Sequence, residues 1–519
     1  MAIVLENRAD PRTAIAEAVL TEVREVMPKD LVSQLSLDSS LLELGLDSIS
    51  IMDVVNRIEK QFGMRFREEW LYDMETCSDL VECIARHTGP NAASESAVSP
   101  SPVTVSTVTA AASAAAPGPI PESHYDVRLF PECVAFHQRL ATTAAAGLQN
   151  PFFRTSQRVR HRVTTIEGRE VVSYTSFDYL GLSGHPAVIE SAKAAIDQFG
   201  CSASASRLVG GNHALLDELD EELAQFLGTE CAIVFPSGYG TNASLFGHLF
   251  GEQDLILYDE LAHNSIAQGA VLSKAARRSF AHNDAGAADE LLRDVRSQYR
   301  RVVLAIEGVY SMDGDYPDLG QFVEVKNRHR ALLYVDEAHS VGVMGKTGRG
   351  LCEHFGIDPA EGDLWMGTIS KALASGGGYL AGREKLMRYL QYTVPSFVFA
   401  TACSPPNAAA ALTALRVLRE EPDRVTQLRD RSRLFLQLAQ DRGLDTGNSH
   451  DTPIVPIILG NSARCIQVSH ELLQRGVNAQ PILYPAVRES AARVRFFITA
   501  EHTEEQIVRT VDALAECLA

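Results

Sequence analysis

Residues 88 to 121 divide this chain before any element is assigned. The stretch is dominated by Ala, Ser, Thr, Val and Pro, and Glu95 is its only charge. It has no apolar period from which a core could be built, so residues 88–123 read as a disordered tether. Two objects of unequal size are expected on either side, over 1–87 and 124–519. Charge supports the split: residues 1–88 hold 17 Asp/Glu against 9 Lys/Arg, a net −8 of the chain's −19. That balance disfavours nucleic acid, whose phosphates need basic patches. No apolar run approaches about 18 residues, so no membrane span is expected. The early charges do not fit a signal peptide. Nine cysteines without a CxxC pair argue against a zinc site and a disulfide framework. No metal is expected, and a reducing, cytoplasmic setting fits.

In the front piece, Ile15, Val19, Leu20, Val23 and Val26 fall on one face of a helix over Ala14 to Val26. A second helix is predicted from Asp47 or Ser48, with Ile51, Val54, Val55, Ile58 and Phe62 at helical spacing. A third is predicted over Cys77 to His87, giving a small all-α bundle. Gly45-Leu46-Asp47-Ser48-Ile49 lies at the mouth of the second helix. A phosphodiester on Ser48 would be favoured at that positive helix end; a plain Asp/Ser helix cap accounts for the same residues. Together with a leucine-rich loop and an acidic second helix bearing Asp53 and Glu59, the pattern resembles an acyl carrier protein. The resemblance implies covalent 4′-phosphopantetheine on Ser48. It also implies a phosphopantetheinyl transferase and an upstream acyl-loading enzyme as partners.

Beyond the tether, short apolar strands alternate with helices. They are Cys231–Phe235, Asp254–Tyr258, Arg301–Ile306, Leu332–Val335 and Asp363–Met366. Buried strands joined by helical crossovers predict a mostly parallel sheet covered on both faces, with ligands at the strand C-terminal ends. Polar residues collect at those ends. Small residues in Phe235-Pro-Ser-Gly-Tyr-Gly-Thr-Asn242 free backbone N–H groups for a phosphate, although a glycine-rich turn alone is weak evidence. Asp259-Glu-Leu-Ala-His263-Asn-Ser places a histidine that could stack on a planar ring or be an ordinary surface residue. Ser311 follows the third strand. Asp336 and His339 follow the fourth; a carboxylate there could hold a ring nitrogen protonated or cap a helix. Lys371 sits after an apolar run, among hydroxyl residues and before a glycine turn at 376–378. An amine that must lose its proton near neutral pH needs such a partly desolvated place.

Together the strings FPSGYGTN, AHNS, EGVYSMDGD, VDEAHSVG, TISKALASGGGY and AARVRFFITAEH resemble the α-oxoamine synthases, a branch of the fold-type-I pyridoxal-phosphate enzymes. The resemblance runs from about Asp178 to the C-terminus. It implies an α/β fold with an aspartate-aminotransferase-like large domain, about 176–404. A smaller α+β domain would take about 124–175 plus 405–519. It also implies residue roles. Lys371 would be the imine-forming lysine, and Asp336 would pair with the pyridine nitrogen. His263 would stack on the ring, and His339 and Ser311 would lie near its 3-hydroxyl. Ser237, Gly238, Tyr239, Thr368 and Ser370 would line the phosphate and ring pocket. Thr401 would reach the partner's phosphate in a homodimer. Arg495, with Arg493 as fallback, would grip the amino-acid carboxylate, since a guanidinium fits it bidentately. Phe177 stands where relatives often carry Asn, and Pro485-Ala-Val-Arg488 also departs from the common pattern, so specificity is not carried over.

The expected activity is decarboxylative condensation of an α-amino acid (glycine, alanine or serine) with an acyl thioester, giving an α-aminoketone. A fused carrier suggests that the thioester arrives on Ser48, in natural-product assembly. A coenzyme A donor, or another pyridoxal-phosphate activity such as transamination, is the alternative.

Overall fold

Side chains of a strand point alternately to opposite faces, so a strand apolar throughout must be covered on both sides. The computed structural model obeys that rule. It describes residues 11–27, 32, 35–39, 54–55, 57–58, 62, 76–88, 120–160, 162–484 and 486–518. The chain divides into two compact units, 1–140 with 484–489, and 141–483 with 490–519. Residues 124–140, which the sequence assigned to the larger body, thus fall in the first unit.

In the first unit, helix Pro11–Val26 and helix Cys77–Thr88 bury Ile15, Val19 and Val23 with Leu80, Val81 and Ile84. Val54, Val55 and Ile58 join the same cluster, as the predicted second-helix spacing requires. Thr76 and Asp79 cap the later helix reciprocally: Thr76 N donates to Asp79 Oδ2 at 2.8 Å, and Asp79 N to Thr76 Oγ1 at 3.3 Å. Ser48, the Gly45–Ile49 mouth and most of the tether lie outside the described residues. Within the tether's span, Thr88 ends a helix and Glu122 begins a short 3-10 turn.

The second unit is built on seven strands. They are β4 (Cys231–Phe235), β5 (Asp254–Asp259), β6 (Ala276–Phe280), β7 (Arg301–Glu307), β8 (Leu332–Asp336), β9 (Leu364–Thr368) and β10 (Gly378–Gly382). Their spatial order is β4-β10-β9-β8-β7-β5-β6. Ile233, Ile256, Val303 and Tyr334 face one apolar core. Their neighbours Val234, Leu257, Leu304 and Leu333 face the other. All five predicted strands are present.

Two further strands escape an apolar-run reading. Edge strand β6 carries Arg277 and Arg278 and has no apolar run. Strand β10 begins in the glycines expected to form a flexible turn. Instead it pairs antiparallel with both β4 and β9 and is buried throughout. Close packing requires those glycines: a Cβ on Gly378 would come within 2.7 Å of Gly238 Cα, and one on Gly377 within 2.7 Å of Phe235 O.

A third core lies beneath the antiparallel sheet of β11 (Ile454–Ile458), β14 (Arg493–Phe497) and β13 (Gln480–Ile482), in that order. A third sheet runs β1 (Ser156–Arg160), β2 (Val163–Ile166), β3 (Arg169–Ser173), with β12 (Val477–Asn478) parallel to β3. Helix Pro405–Glu420, just past the expected boundary at 404/405, buries Ala408, Ala411, Leu412 and Leu415 in the large-sheet core.

Candidate active site

The C-terminal ends of β7, β8 and β9 deliver Glu307, Asp336 and, three residues past Thr368, Lys371. Burial depresses the Lys371 amine to about 8. Asp336 and Glu307 pull against that shift, and Arg495 adds to it. About a tenth of such an amine is neutral at pH 7, against roughly three in ten thousand for an ordinary lysine. The ring of Phe177 lies 5.7 Å from Lys371 Nζ. It also meets His339 and Phe497 edge-on, at 5.9 and 4.7 Å.

Asp336 is buried, and no helix follows it, so the helix-cap alternative falls away. Its Oδ1 accepts from Ala338 N at 3.0 Å and its Oδ2 from Asn242 Nδ2 at 2.7 Å. Asn242 is itself fixed, because Tyr334 donates its hydroxyl to Asn242 Oδ1. The same amide nitrogen donates to Ser265 Oγ at 2.8 Å, and that hydroxyl lies 2.7 Å from His263 Nδ1. The Ser265 backbone N–H also donates to His263 Nδ1, at 3.3 Å. Nδ1 is therefore an acceptor and the ring proton belongs on Nε2. Burial, with Lys371 nearby, lowers the His263 pKa despite Asp336, which suits a flat neutral ring. Its backbone N–H donates to Glu307. Burial, reinforced by Asp336, pushes the Glu307 carboxyl well up.

His339 lies 2.7 Å from the Tyr179 hydroxyl through Nδ1. Burial keeps Tyr179 protonated and drives His339 well below its ordinary value, with Lys371 and Arg495 adding to the effect. With both groups neutral, a single hydroxyl–imidazole hydrogen bond joins them.

The predicted phosphate loop opens helix Gly238–Leu249. Ser237 caps it, accepting from Gly240 N at 3.2 Å. A Cβ on Gly238 would sit 3.2 Å from Thr368 Oγ1, so the glycine brings the helix N-terminus against the end of β9. Thr368 and Ser370 both donate to Gly377 O, at 2.7 and 3.0 Å, and lock the turn before β10. Tyr239 is half-exposed; its hydroxyl donates to Asn264 Oδ1 at 3.2 Å and its ring meets His263 edge-on at 6.3 Å.

The two arginines of β14 divide clearly. Arg493 is spent: Nε donates to Ala491 O at 2.8 Å, and Nη1 to Met312 O at 2.9 Å and Asp313 Oδ1 at 2.6 Å. Arg495 gives Nη1 to Ser311 O at 2.6 Å and to Met312 Sδ at 3.2 Å, while its buried Nε has no partner. Burial lowers it to about 10, so it remains a cation at neutral pH. Its Cζ stands 4.5 Å from the Phe497 ring centre. Ser311 thus enters through its carbonyl, a contact the sequence did not anticipate. Thr401 is exposed and shares no hydrogen bond with this group.

The cradle at Gly238, the depressed Lys371 amine, the buried Asp336 and the open Arg495 edge fit pyridoxal phosphate and an amino-acid carboxylate. Asn242, Ser265, Tyr334, Tyr179, Glu307 and Phe497 were not singled out from sequence. Tyr334 carried a usable signal: a hydroxyl in an apolar strand must find a buried partner.

Comparison with known proteins agrees with this chemistry. The model for aminotransferase class I and II matches residues 169–514, and that for the phosphopantetheine attachment site matches 17–84. The chain is 38% identical over 371 residues to 8-amino-7-oxononanoate synthase of Symbiobacterium thermophilum, covering 72% of this chain and 94% of that protein. It is 38% identical over 349 residues to 8-amino-7-oxononanoate synthase 1 of Bacillus velezensis, covering 67% and 88%. Among solved structures, Sphingomonas wittichii serine palmitoyltransferase superposes with a TM-score of 0.71 at 30% identity, over 75% of this chain and 96% of that one. The 8-amino-7-oxononanoate synthase of Francisella tularensis gives 0.58 at 26%, over 67% and 97%. The chain therefore belongs to the α-oxoamine synthases, pyridoxal-phosphate-dependent acyltransferases of the aminotransferase class I and II family, and carries a phosphopantetheine attachment domain ahead of the synthase.

Proposed function

We propose that the chain joins an α-amino acid to an acyl thioester, releasing CO2 and the thiol and leaving an α-aminoketone. The acyl group arrives on 4′-phosphopantetheine at Ser48, as a step in natural-product assembly. The observation that carries the reading is a depressed lysine amine and an open buried guanidinium in a chain whose front matches a phosphopantetheine attachment domain.

Pyridoxal phosphate, when bound, supplies the electron sink that makes the amino acid's α-carbon nucleophilic. The chain's residues have separate tasks. Asp336, held by Asn242 and Ala338, keeps a negative charge where the cofactor's ring nitrogen must stay protonated. His263 would offer a neutral ring face, and His339 would lie beside the cofactor's ring oxygen. Ser237, Gly238, Tyr239, Thr368 and Ser370 form the phosphate end. Lys371 would hold the cofactor through its amine and would carry the substrate's proton. Arg495 receives the substrate carboxylate on its free edge.

The front piece acts as a helical carrier bundle over residues 1–87, joined by 88–123 to the synthase over 124–519. The tether's composition suits a delivery arm, since about 34 residues reach up to roughly 100 Å when stretched. A linked donor reaches roughly millimolar local concentration. A cytoplasmic homodimer in which Thr401 completes the partner's site fits the exposure of Thr401 and of its neighbour Phe399, which is 83% exposed.

The test is intact-protein mass spectrometry after phosphopantetheinylation, then a screen of amino acids against the loaded carrier with CO2 and aminoketone detection. Wild type should give both products, and Ser48→Ala should give neither from the loaded donor. The mutant should keep its cofactor absorbance. Keto-acid formation without CO2 would point to transamination, and equal turnover by Ser48→Ala with every donor would remove the carrier from the reaction.

A further inference from the structure

The turn that engages both arginines is anchored at its far end by a histidine outside the site just described. His282 lies two residues beyond β6. Its Nδ1 is 2.9 Å from Asp259 Oδ1 and its Nε2 is 2.9 Å from Asp315 Oδ2. Both ring nitrogens face carboxylate oxygens, so both are donors and the ring is an imidazolium. Burial opposes that charge, but the bonds to Asp259 and Asp315 outweigh it and push the pKa up to about 10. Asn283 and the edge of the Tyr310 ring complete the surroundings. Asn283 Nδ2 donates to Asp315 Oδ2 at 3.3 Å, and the Tyr310 ring centre is 4.5 Å away.

This clamp ties together the segments that leave three neighbouring strands, β7, β5 and β6. Asp259 ends β5, and Asp315 ends the turn after β7. The turn closes on itself, with Tyr310 N donating to Asp315 O and Gly314 N to Tyr310 O, both at 2.9 Å. It is backed against β11, where a Cβ on Gly314 would overlap Ile454 O at 1.9 Å, and Thr452 Oγ1 donates to Gly314 O at 2.7 Å. Between its two ends the Ser311 and Met312 carbonyls meet Arg495 and Arg493.

We propose that His282 is a positioning residue for the amino-acid carboxylate: clamped between Asp259 and Asp315, it fixes the turn whose Ser311 carbonyl aims Arg495. The proposal rests on the reading of Arg495 as the carboxylate-binding group and is independent of the carrier. Without the imidazolium, two buried carboxylates would face each other with no counter-charge between them. The turn would shift, and Arg495 would lose its fixed acceptor.

The experiment compares His282→Gln, Arg495→Lys and the double variant in the cofactor-loaded, full-length protein. Amino-acid Kd is read from the absorbance change on binding, beside KM for both substrates and cofactor retention after gel filtration. His282→Gln should raise amino-acid Kd and KM about tenfold, the scale expected for a misplaced binding group. Acyl-donor KM and cofactor content should stay within about twofold. The double variant should bind little worse than Arg495→Lys alone, because both changes act through one guanidinium. If Arg495→Lys leaves amino-acid binding intact, the reading of Arg495 fails. If Arg495→Lys weakens binding and His282→Gln does not, the positioning role is overturned. A uniform loss of both substrates and cofactor, or additive effects in the double variant, also overturns it. Should His282→Gln not fold, Asp315→Asn removes the turn's half of the clamp and is judged by the same outcomes.

Discussion

The cofactor end and the substrate end of the site are built on opposite plans. Around Asp336 the polar atoms are closed upon one another: Tyr334 to Asn242, Asn242 to Asp336 and Ser265, Ser265 to His263. All of these stand on the central sheet or in the first turns of its helices. Around Arg495 the framework is a turn and a strand of the smaller antiparallel sheet, and one buried donor is left without a partner. A closed network is rigid before anything binds, which suits a resident cofactor. An open buried donor carries a desolvation penalty until a ligand meets it, which suits a substrate that comes and goes.

The largest effects are expected where the closed end does its chemistry. Lys371→Ala should lower turnover by at least about 10³-fold, since it removes both the covalent anchor and the proton carrier. Asp336→Asn should leave the fold intact, because the amide keeps the side chain's shape and one acceptor oxygen, losing one of the two hydrogen bonds from Ala338 and Asn242. It should slow α-proton exchange by about 10²-fold or more, as the carboxylate's charge is lost. Near-normal exchange in Asp336→Asn would show that the closed network is a scaffold only.

The contrast between Arg495 and Arg493 should appear as a split between function and stability. Arg495→Lys keeps the charge but loses the planar fork, and is expected to raise amino-acid KM about 10- to 100-fold with little change in unfolding midpoint. Arg493→Ala breaks an ion pair between a buried guanidinium and the partly buried Asp313. It should cost about 3 kcal/mol of stability, measured by urea unfolding, because Asp313 is left without its counter-charge. A reversal of the two outcomes would exchange the assignments of the arginines.

The sequence made the closed end more legible than the open one, for a physical reason. Strands β4, β5, β7, β8 and β9 are apolar runs, and a parallel sheet brings the residues just past each run to one edge. Asp336 and Lys371 could therefore be paired across about 35 positions. The chain of amides and hydroxyls behind Asp336 was not legible, because Asn242 and Ser265 meet only after the strands are ordered. β6 was hidden by its arginines, and β10 by glycines that packing rather than flexibility demands. At the open end the sequence could rank Arg495 above Arg493 without explaining why. The explanation is the partner count set by the turn at 310–315. The mouth of the carrier's second helix was read from five residues, and there the family match over 17–84 adds support that the described residues do not.

The smallest expected effect tests the closed end without any chemistry. In the cofactor-free protein Lys371 is a free amine whose folded-state value, about 8, lies below its ordinary 10.5. Between those values the unfolded chain binds more protons, so stability rises with pH across that window. The cost of burying the ammonium is present in full below pH 8, fades above it and is gone beyond 10.5. Its upper size is about 3 kcal/mol. That upper size already contains the attraction of Asp336 and Glu307 for the ammonium, and relaxation around the buried charge reduces it further. Lys371→Met, of similar length and apolar, should therefore stabilise the cofactor-free protein by about 1–2 kcal/mol at pH 7. The advantage should shrink towards zero by about pH 10. Urea unfolding of both proteins, tracked through the body's transition at the two pH values, measures the difference. A stabilisation that does not change with pH would mean that Lys371 gains only packing from the substitution and that its amine is not depressed. The site would then need bound cofactor or substrate to lower it, and the closed end would be less complete before binding than its hydrogen bonds imply.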